Sequence, residues 1–437
     1  MKLFKKSYAL VALMSASVLT LTYCTKDNQV LTTTPTTNSS TDLVALLTTT
    51  PPAIDGTIDA IWENATKLTG QTEVPNPGNG LFAGYIGDKY TYTLRAMYDA
   101  QYIYFLAEWN DPTQGTAVQP WYFDPAKKRW AQEANSRQFD VNGVLTREGI
   151  GQDQLAMLWD IDNSTPKFTG QTCYASCHLF NSYRNYAGVM VANKSGNHYT
   201  NGANEKIDMW WLHLQKDLLT NQMDDQYQDW AGGPATTDTV GGAGNGRHAD
   251  DLVPPTPYST SYKNNNTDPS NGPINNRVSL KLDGDGASVN VPAWIIPDAT
   301  NKAYYDVADT LPGGAARKVT GVSSDGVLTY DGGTLDPSTD GEYLQKPGVN
   351  GGVGTKCIPS FIAVQYTAGR ADFTAKGTHT GSGWVVEFKR LLNTNSSLKQ
   401  DINFESLQDQ PFGMAIFNNS NNQHSIKPNL VLKFKKD

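Results

Sequence analysis

Apolar and polar residues alternate with a period of two along much of this chain, most clearly from Tyr90 onward. Tyr92, Leu94, Ala96 and Tyr98 alternate with Thr91, Thr93, Arg95 and Met97, which predicts a strand. Asp99-Ala100-Gln101 reads as a turn, and the aromatic-rich run Tyr102 to Trp109 returns as the other arm of a hairpin, stopped by Asn110-Asp111-Pro112. Leu155 to Trp159 is a short apolar run that predicts a buried strand. Strand character resumes at Val278 to Leu282, Val289 to Ile296, Ile362 to Tyr366, Gly383 to Leu391, Phe412 to Phe417 and Leu430 to Phe434. One segment breaks the pattern: Lys206 to Leu219 carries Ile207, Trp210, Trp211, Leu214 and Leu218 at helical spacing and predicts a short amphipathic helix. Many short strands, Gly/Pro/Asn turns and little helix point to a mainly-β protein, a β-sandwich with long loops.

The first residues read differently. Lys2, Lys5 and Lys6 precede an apolar run from Tyr8 to Leu21, the form of a signal peptide over residues 1–23. Leu21-Thr22-Tyr23-Cys24 resembles a bacterial lipobox and makes Cys24 the candidate lipidation site, with ordinary secretion as the alternative. Residues 24–50 are rich in Thr, Ser and Asn and read as a flexible tether. Residues 51–437 are then a single domain, with Gly-, Asn- and Asp-rich insertions near 231–275 and 309–355. A loop as long as 231–275 is uncommon inside a compact domain, and covering a cofactor is one cause. Loss of the three N-terminal lysines moves the formal charge from −8 to −11, a poor match for nucleic acid.

The candidate chemistry is concentrated at Cys173-Tyr174-Ala175-Ser176-Cys177-His178, in a chain with four cysteines and six histidines. Two thiols near one another suit addition to the two vinyl groups of a porphyrin, and the histidine that follows suits an axial ligand to its iron. The usual spacing has two residues between the cysteines; here there are three, which a bulged loop absorbs. A small disulfide and a zinc site are the alternatives at this point. Cys357 reads as a small buried hydrophobe.

Around this motif the chain resembles the ethylbenzene-dehydrogenase-related haem-binding proteins, also called the cytochrome c-552/DMSO-reductase-like haem-binding domain. The resemblance is carried by Ile54-Asp55-Gly56 with Trp62, Leu94 to Trp109 with Asp111, Leu155 to Trp159, Cys173 to His178, the segment near Trp210, and Asp224 to Tyr227. It continues in Trp384 to Arg390, Phe412 to Phe417 and His424. It implies a sandwich related to carbohydrate-binding modules, one haem between its loops, and a role as an electron-transfer subunit of a molybdenum enzyme. Some relatives hold haem b through methionine and lysine; the cysteine motif departs from these and looks like a c-type cytochrome. The resemblance places a second iron ligand in the late loop that contains His424, with Lys427 and Met157 as weaker candidates.

Other residues have plainer readings. Trp210, Trp211 and Met209 would line a haem edge, or simply pack in a core. His213 reads as structural, His198 and His248 as exposed, and His379 as part of a turn. Asp224, Asp225 and Tyr227 would brace a loop near the haem, while adjacent acids such as Asp224-Asp225 and Asp250-Asp251 usually face solvent. The expectation is a lipid-anchored monohaem c-type cytochrome of the cell envelope, held by Cys173, Cys177, His178 and His424 and passing electrons to a partner protein. The alternative is a haem-free carbohydrate-binding module, supported by the Ile54-Asp55-Gly56 start and ten tryptophans. No serine-histidine elbow, phosphate loop or metalloprotease signature marks an enzyme.

Overall fold

The computed structural model describes residues 41–76, 82–115, 117–147, 149–176, 182–184, 190–192, 199–200, 202, 204–229, 246–251, 272–297, 305–339, 341–345 and 354–436. Among these, twelve strands join in one sheet. They are β1 (Asp42–Leu47), β2 (Leu68–Glu73), β3 (Lys89–Tyr98), β4 (Tyr102–Asn110), β5 (Gln154–Asp160), β6 (Ile207–His213), β7 (Asp224–Gln228), β8 (Arg247–Ala249), β9 (Thr374–His379), β10 (Gly383–Leu391), β11 (Gln410–Phe417) and β12 (Ser425–Lys435). The order across the sheet is β8-β7-β6-β5-β11-β12-β1-β3-β4-β10-β9, and β2 pairs with both β12 and β3.

The sheet folds back on itself. Five strand-to-strand steps separate β5 from β4, roughly 24 Å if the sheet were flat. Yet the rings of Phe105 on β4 and Trp159 on β5 lie 6.2 Å apart, and Phe105 lies 5.6 Å from Trp210 on β6. The two halves therefore face each other as a β-sandwich. Their shared core holds Phe105, Phe388, Trp159, Trp210, Phe404 and Phe412, with Phe105 stacked on Phe388 and Trp159 on Phe412. A second, smaller core lies around Trp121, Phe123, Trp130, Ile295, Val319 and Leu328.

The predicted hairpin is present as β3 and β4. Its turn is held by Asp99, whose Oδ1 accepts from the N–H groups of Gln101 at 2.7 Å and Tyr102 at 2.8 Å. Glu387 on β10 joins two distant parts of the chain. Its carboxylate accepts from Trp62 Nε1 at 2.8 Å, from the Gly56 N–H at 2.9 Å and from the Asp55 N–H at 3.2 Å. Gly56 has φ of +83°, and a Cβ there would stand 3.0 Å from Thr378 Oγ1, so glycine suits the turn.

Three expectations need correction. The predicted helix over 206–219 is strand β6, followed by a five-residue helix at Lys216–Thr220. Every residue of β6 is buried, so both its faces carry large apolar side chains and their spacing mimics a helical one. The tether of residues 24–50 ends earlier than expected. Asp42–Leu47 is β1, parallel to both β12 and β3, with Leu43 and Ala45 fully buried. The insertion near 309–355 is also not irregular throughout. Arg317–Val322, Leu328–Tyr330 and Gly333–Leu335 form a small sheet with Trp294–Ile295. Of the 231–275 insertion, residues 246–251 and 272–275 are described, and Arg247–Ala249 forms the β8 edge. Among the described residues no helix is long and apolar enough to cross a membrane.

Candidate functional site

Strand alternation gives β5, β6 and β11 two different faces. Leu155, Met157, Trp159, Trp210, Leu212, Phe412, Met414 and Ile416 enter the sandwich core. The residues between them point the opposite way and floor a cavity of about 210 Å³. The floor consists of Ala156, Leu158, Met209, Trp211, Gly413, Ala415 and Phe417, with Ile426 from β12. Ala156 stands opposite Ala415 in register, so the middle of the floor is shallow. Cys173 and Tyr174 lie over it, and Phe82, Gln228, Arg247, Asn421, Asn422 and His424 form the wall.

Gly413 sets how closely the Cys173 segment approaches. A Cβ at residue 413 would stand 2.2 Å from Cys173 Sγ, so only glycine lets the thiol reach this depth. Thr172 and Cys173 open a short turn over Thr172–Ala175, and Thr172 Oγ1 accepts from the Asn429 N–H at 3.0 Å, tying the turn to β12. Cys173 is buried, and burial pushes its thiol up to about 12, so the thiol is neutral.

His424 is held between two aromatic rings, 4.6 Å from Phe417 and 5.3 Å from Phe82 between centroids. Desolvation pushes its imidazole down to about 4, so it is neutral at pH 7. Its Nδ1 lies 2.7 Å from the carbonyl oxygen of Asn422. A carbonyl only accepts, so Nδ1 carries the proton and Nε2 keeps a lone pair. This is the tautomer that a metal-binding histidine adopts when its other nitrogen is fixed by a backbone carbonyl. The loop itself is pinned: Asp153 Oδ1 accepts from the Asn419 N–H at 2.9 Å, and Gln154 Nε2 donates to Ser420 O at 2.6 Å.

The cavity wall also carries polar atoms without protein partners. Trp211 Nε1, Gln228 Oε1 and Asn421 Oδ1 are buried and make no hydrogen bond. Buried polar atoms are normally satisfied, so three on one wall suit a ligand with polar edges over an apolar floor. Arg247 brings a positive charge to the same wall, its guanidinium 4.4 Å from the Trp211 ring centre.

The family model of ethylbenzene dehydrogenase matches residues 59–428. The chain belongs to this family. No curated protein matches it. Among solved structures it is similar to a carbohydrate-binding module family 9 from Caldicellulosiruptor kristjanssonii in complex with glucose, at 10% identity over 91% of this chain and 96% of that one. The same module in complex with cellotriose gives 10% identity over 91% and 94%. The TM-scores, 0.26 and 0.24, are too low to bear on fold or function.

In this family member the structure brings Cys173, Trp211 and His424 to one cavity, together with Met209. Cys177, His178, His198 and Cys24 lie outside the described residues. Trp210 does not belong to the site: it is fully buried in the sandwich core, on the opposite face of β6. Met157 is likewise in that core, and Lys427 is paired with Met414 in register rather than lining the cavity.

His213 is structural, as expected, with Nδ1 3.0 Å from Asp217 Oδ2 and its ring stacked on Trp211. His379 meets the Asp111 carbonyl at 2.9 Å. His248 is buried rather than exposed, its Nε2 2.8 Å from Asp229 Oδ1. Asp224, Asp225 and Asp250 are buried as well, contrary to the solvent-facing reading, and Asp224, Asp225 and Tyr227 lie on strand β7 rather than bracing a loop. Asp224 is clamped by Arg370 through Nε at 2.5 Å and Nη2 at 2.7 Å. Cys357 is buried beside the smaller core. Sequence reading missed Gly413, Phe82, Gln228 and Arg247. A glycine between Phe412 and Met414, in a run of strand-forming residues, was the available signal for close approach at residue 413.

Proposed function

We propose that this chain is an accessory electron-transfer protein of the ethylbenzene dehydrogenase family that holds one haem in the cavity beneath Cys173. One observation carries the reading. A thiol and a neutral imidazole with its Nε2 lone pair uncommitted, from distant parts of the chain, meet over one apolar floor. The donor set fits a covalently attached haem, with Cys173 and Cys177 as anchors and His178 and His424 as iron ligands. The described walls enclose about 210 Å³, less than the ~300–1,000 Å³ typical of small-molecule pockets, so they would cover only part of a porphyrin.

Bound haem supplies reversible one-electron storage. The protein's own residues do the rest. The Asn422 carbonyl fixes the tautomer of His424, and Phe82 and Phe417 hold its ring. Ala156, Gly413 and Ala415 keep the floor flat, and Arg247 places a cation where a carboxylate-bearing edge would be stabilised. If His178 and His424 both held the iron, no position would be left for substrate, which would make the chain a carrier rather than a catalyst. A lipid on Cys24 would keep it at the envelope surface, where a molybdenum enzyme or another redox protein is its partner.

A haem-free sugar-binding role is less favoured. Stacking platforms require exposed aromatic rings, and the described tryptophans are buried apart from the half-buried Trp294.

The test is expression of the full chain in a host that attaches haem to cytochromes. The expected product gains one haem in mass and gives a c-type pyridine haemochrome spectrum. His424→Ala keeps the covalent haem but loses the low-spin spectrum, and Cys173→Ala weakens or abolishes attachment. A wild-type chain without added mass or visible absorption overturns the proposal.

A further inference from the structure

A second cluster lies on the other face of the same strands. Asp208 on β6, Asp225 on β7 and Asp401 in the loop after β10 are buried, with carboxylate oxygens within 4.8 Å of one another. One cation stands among them. Arg390 Nη1 is 2.9 Å from Asp208 Oδ2, 3.5 Å from Asp401 Oδ1 and 3.7 Å from Asp225 Oδ2. Asp208 Oδ2 also accepts from the Ile402 N–H at 2.9 Å, and Asp401 Oδ2 from Thr394 Oγ1 at 2.9 Å. Asp225 differs from its neighbours. It is fully buried, neither of its oxygens has a hydrogen-bond partner, and one of them faces the other two carboxylates.

Were all three carboxyls ionised, one guanidinium would leave two negative charges uncompensated, and buried charges are normally paired, neutralised or metal-bound. An all-oxygen donor set is that of a hard cation. Ca²⁺ takes oxygen ligands at about 2.3–2.6 Å in flexible geometry, whereas Mg²⁺ demands a near-ideal octahedron and keeps several waters, which suits a buried three-carboxylate set less well.

We infer that Asp208, Asp225 and Asp401 form a structural Ca²⁺ site. Arg390 keeps its hold on Asp208 Oδ2, while the oxygens of Asp225 take the cation. The ion links β6 and β7 of one layer to the loop that follows β10 of the other. Burial and the neighbouring aspartates hold the carboxyls of Asp225 and Asp250 well above the ordinary carboxylate range when no divalent cation is bound. Protons are therefore the competing occupant.

The test uses the full-length protein stripped with EGTA, titrated calorimetrically with Ca²⁺ and melted with and without it. One Ca²⁺ per chain should bind. The Tm should rise by roughly 3–5 °C at Ca²⁺ a hundredfold above its Kd. Asp225→Asn should lose both the binding heat and the Ca²⁺-dependent shift, while melting in EGTA at or above the wild-type temperature because an amide is buried neutral without taking up a proton. Asp401→Asn is the second variant and should also lose the shift. A wild-type protein with no binding heat and no shift overturns the inference and assigns the site to protons. Calcium binding retained at full strength in a folded Asp225→Asn or Asp401→Asn chain overturns it too, by placing the ion elsewhere on this acidic protein.

Discussion

Gly413→Ala tests the packing at the cavity directly. The new Cβ would stand 2.2 Å from Cys173 Sγ, 3.1 Å from Thr172 Oγ1 and 3.2 Å from the Cys173 backbone nitrogen. Carbon contacts are comfortable at about 3.5–4.0 Å, so the Cys173 segment must retreat by more than about 1 Å. That retreat opposes the Thr172–Asn429 hydrogen bond, which ties the segment to β12. Overpacking of this kind costs about 1–3 kcal/mol. Cys173→Ala removes the sulfur, the nearest obstacle, and leaves only the milder contacts. In that background Gly413→Ala should cost at least about 1 kcal/mol less, a coupling well above the ~0.3–0.5 kcal/mol scatter of independent sites. The assay is equilibrium urea unfolding of haem-free protein followed by tryptophan fluorescence, with all four members of the cycle compared. Additive costs would show that Cys173 does not rest on the sheet at residue 413, and would remove the thiol from the cavity. If the packing is right, Gly413→Ala should also lower haem incorporation by displacing the thiol.

Three further predictions follow from buried polar groups. Glu387→Ala leaves Trp62 Nε1–H and the Gly56 N–H without an acceptor and should cost at least about 2 kcal/mol, whereas Glu387→Gln keeps an acceptor and should cost less; urea midpoints would rank them. Arg390→Met in EGTA strands three buried carboxylates and should cost about 3–5 kcal/mol, with Asp208→Asn in the same chain recovering part of it; the double variant melting no higher than the single one would refute this. Burial pushes Asp160 up to about 6 from 3.8, so the native chain keeps a proton that the unfolded chain has released, and stability falls as pH rises between these values. Asp160→Asn has no such loss, and its advantage over wild type should grow by up to about 3 kcal/mol from pH 4 to pH 7. A difference that stays flat with pH would refute the assignment.

The sandwich was legible because its central strands are long and strongly patterned. β3 and β4 carry their own turn signal in Asp99, and β10 and β11 lie within a residue or two of their expected bounds. The errors have a common cause. Periodicity reports one-sided burial, and β6 is buried on both sides, so Ile207, Trp210 and Trp211 fell on a helical period by coincidence. β1 was missed for a related reason: Asp42–Leu47 follows a Thr/Ser-rich stretch and pairs with β12, from the far end of the chain, which no local signal announces. At the site, the chemistry-bearing residues Cys173 and His424 were legible because thiols and imidazoles are rare here. Gly413 and Arg247 act through partners distant in sequence and left only weak local signs.

The faces of β6 tie the two proposed sites together. Met209 and Trp211 turn to the cavity, while Asp208 and Trp210 turn to the carboxylate cluster and the sandwich core. Side chains alternate with period two, so a slip of one residue would exchange the two sets. It would put Asp208 against the apolar floor and Trp211 among the buried aspartates, and both placements are strongly unfavourable. The pairing of Trp211 with Ala156 on β5 and with Asp224 on β7 excludes that slip from both sides. Arg390, packed over the Trp210 ring at 5.1 Å, adds a contact from the other layer that only the observed register allows. The carboxylate cluster thus has a role in the cavity's geometry without touching it: the charge network selects the register that turns Trp211 toward Cys173 and His424. A variant that empties the cluster of charge while keeping its volume, such as Asp208→Asn with Asp225→Asn, Asp401→Asn and Arg390→Met, should fold but fix β6 less firmly. Amide exchange along Ile207–His213 should then quicken relative to β3 and β4, and exchange that stays unchanged would show that apolar packing alone sets the register.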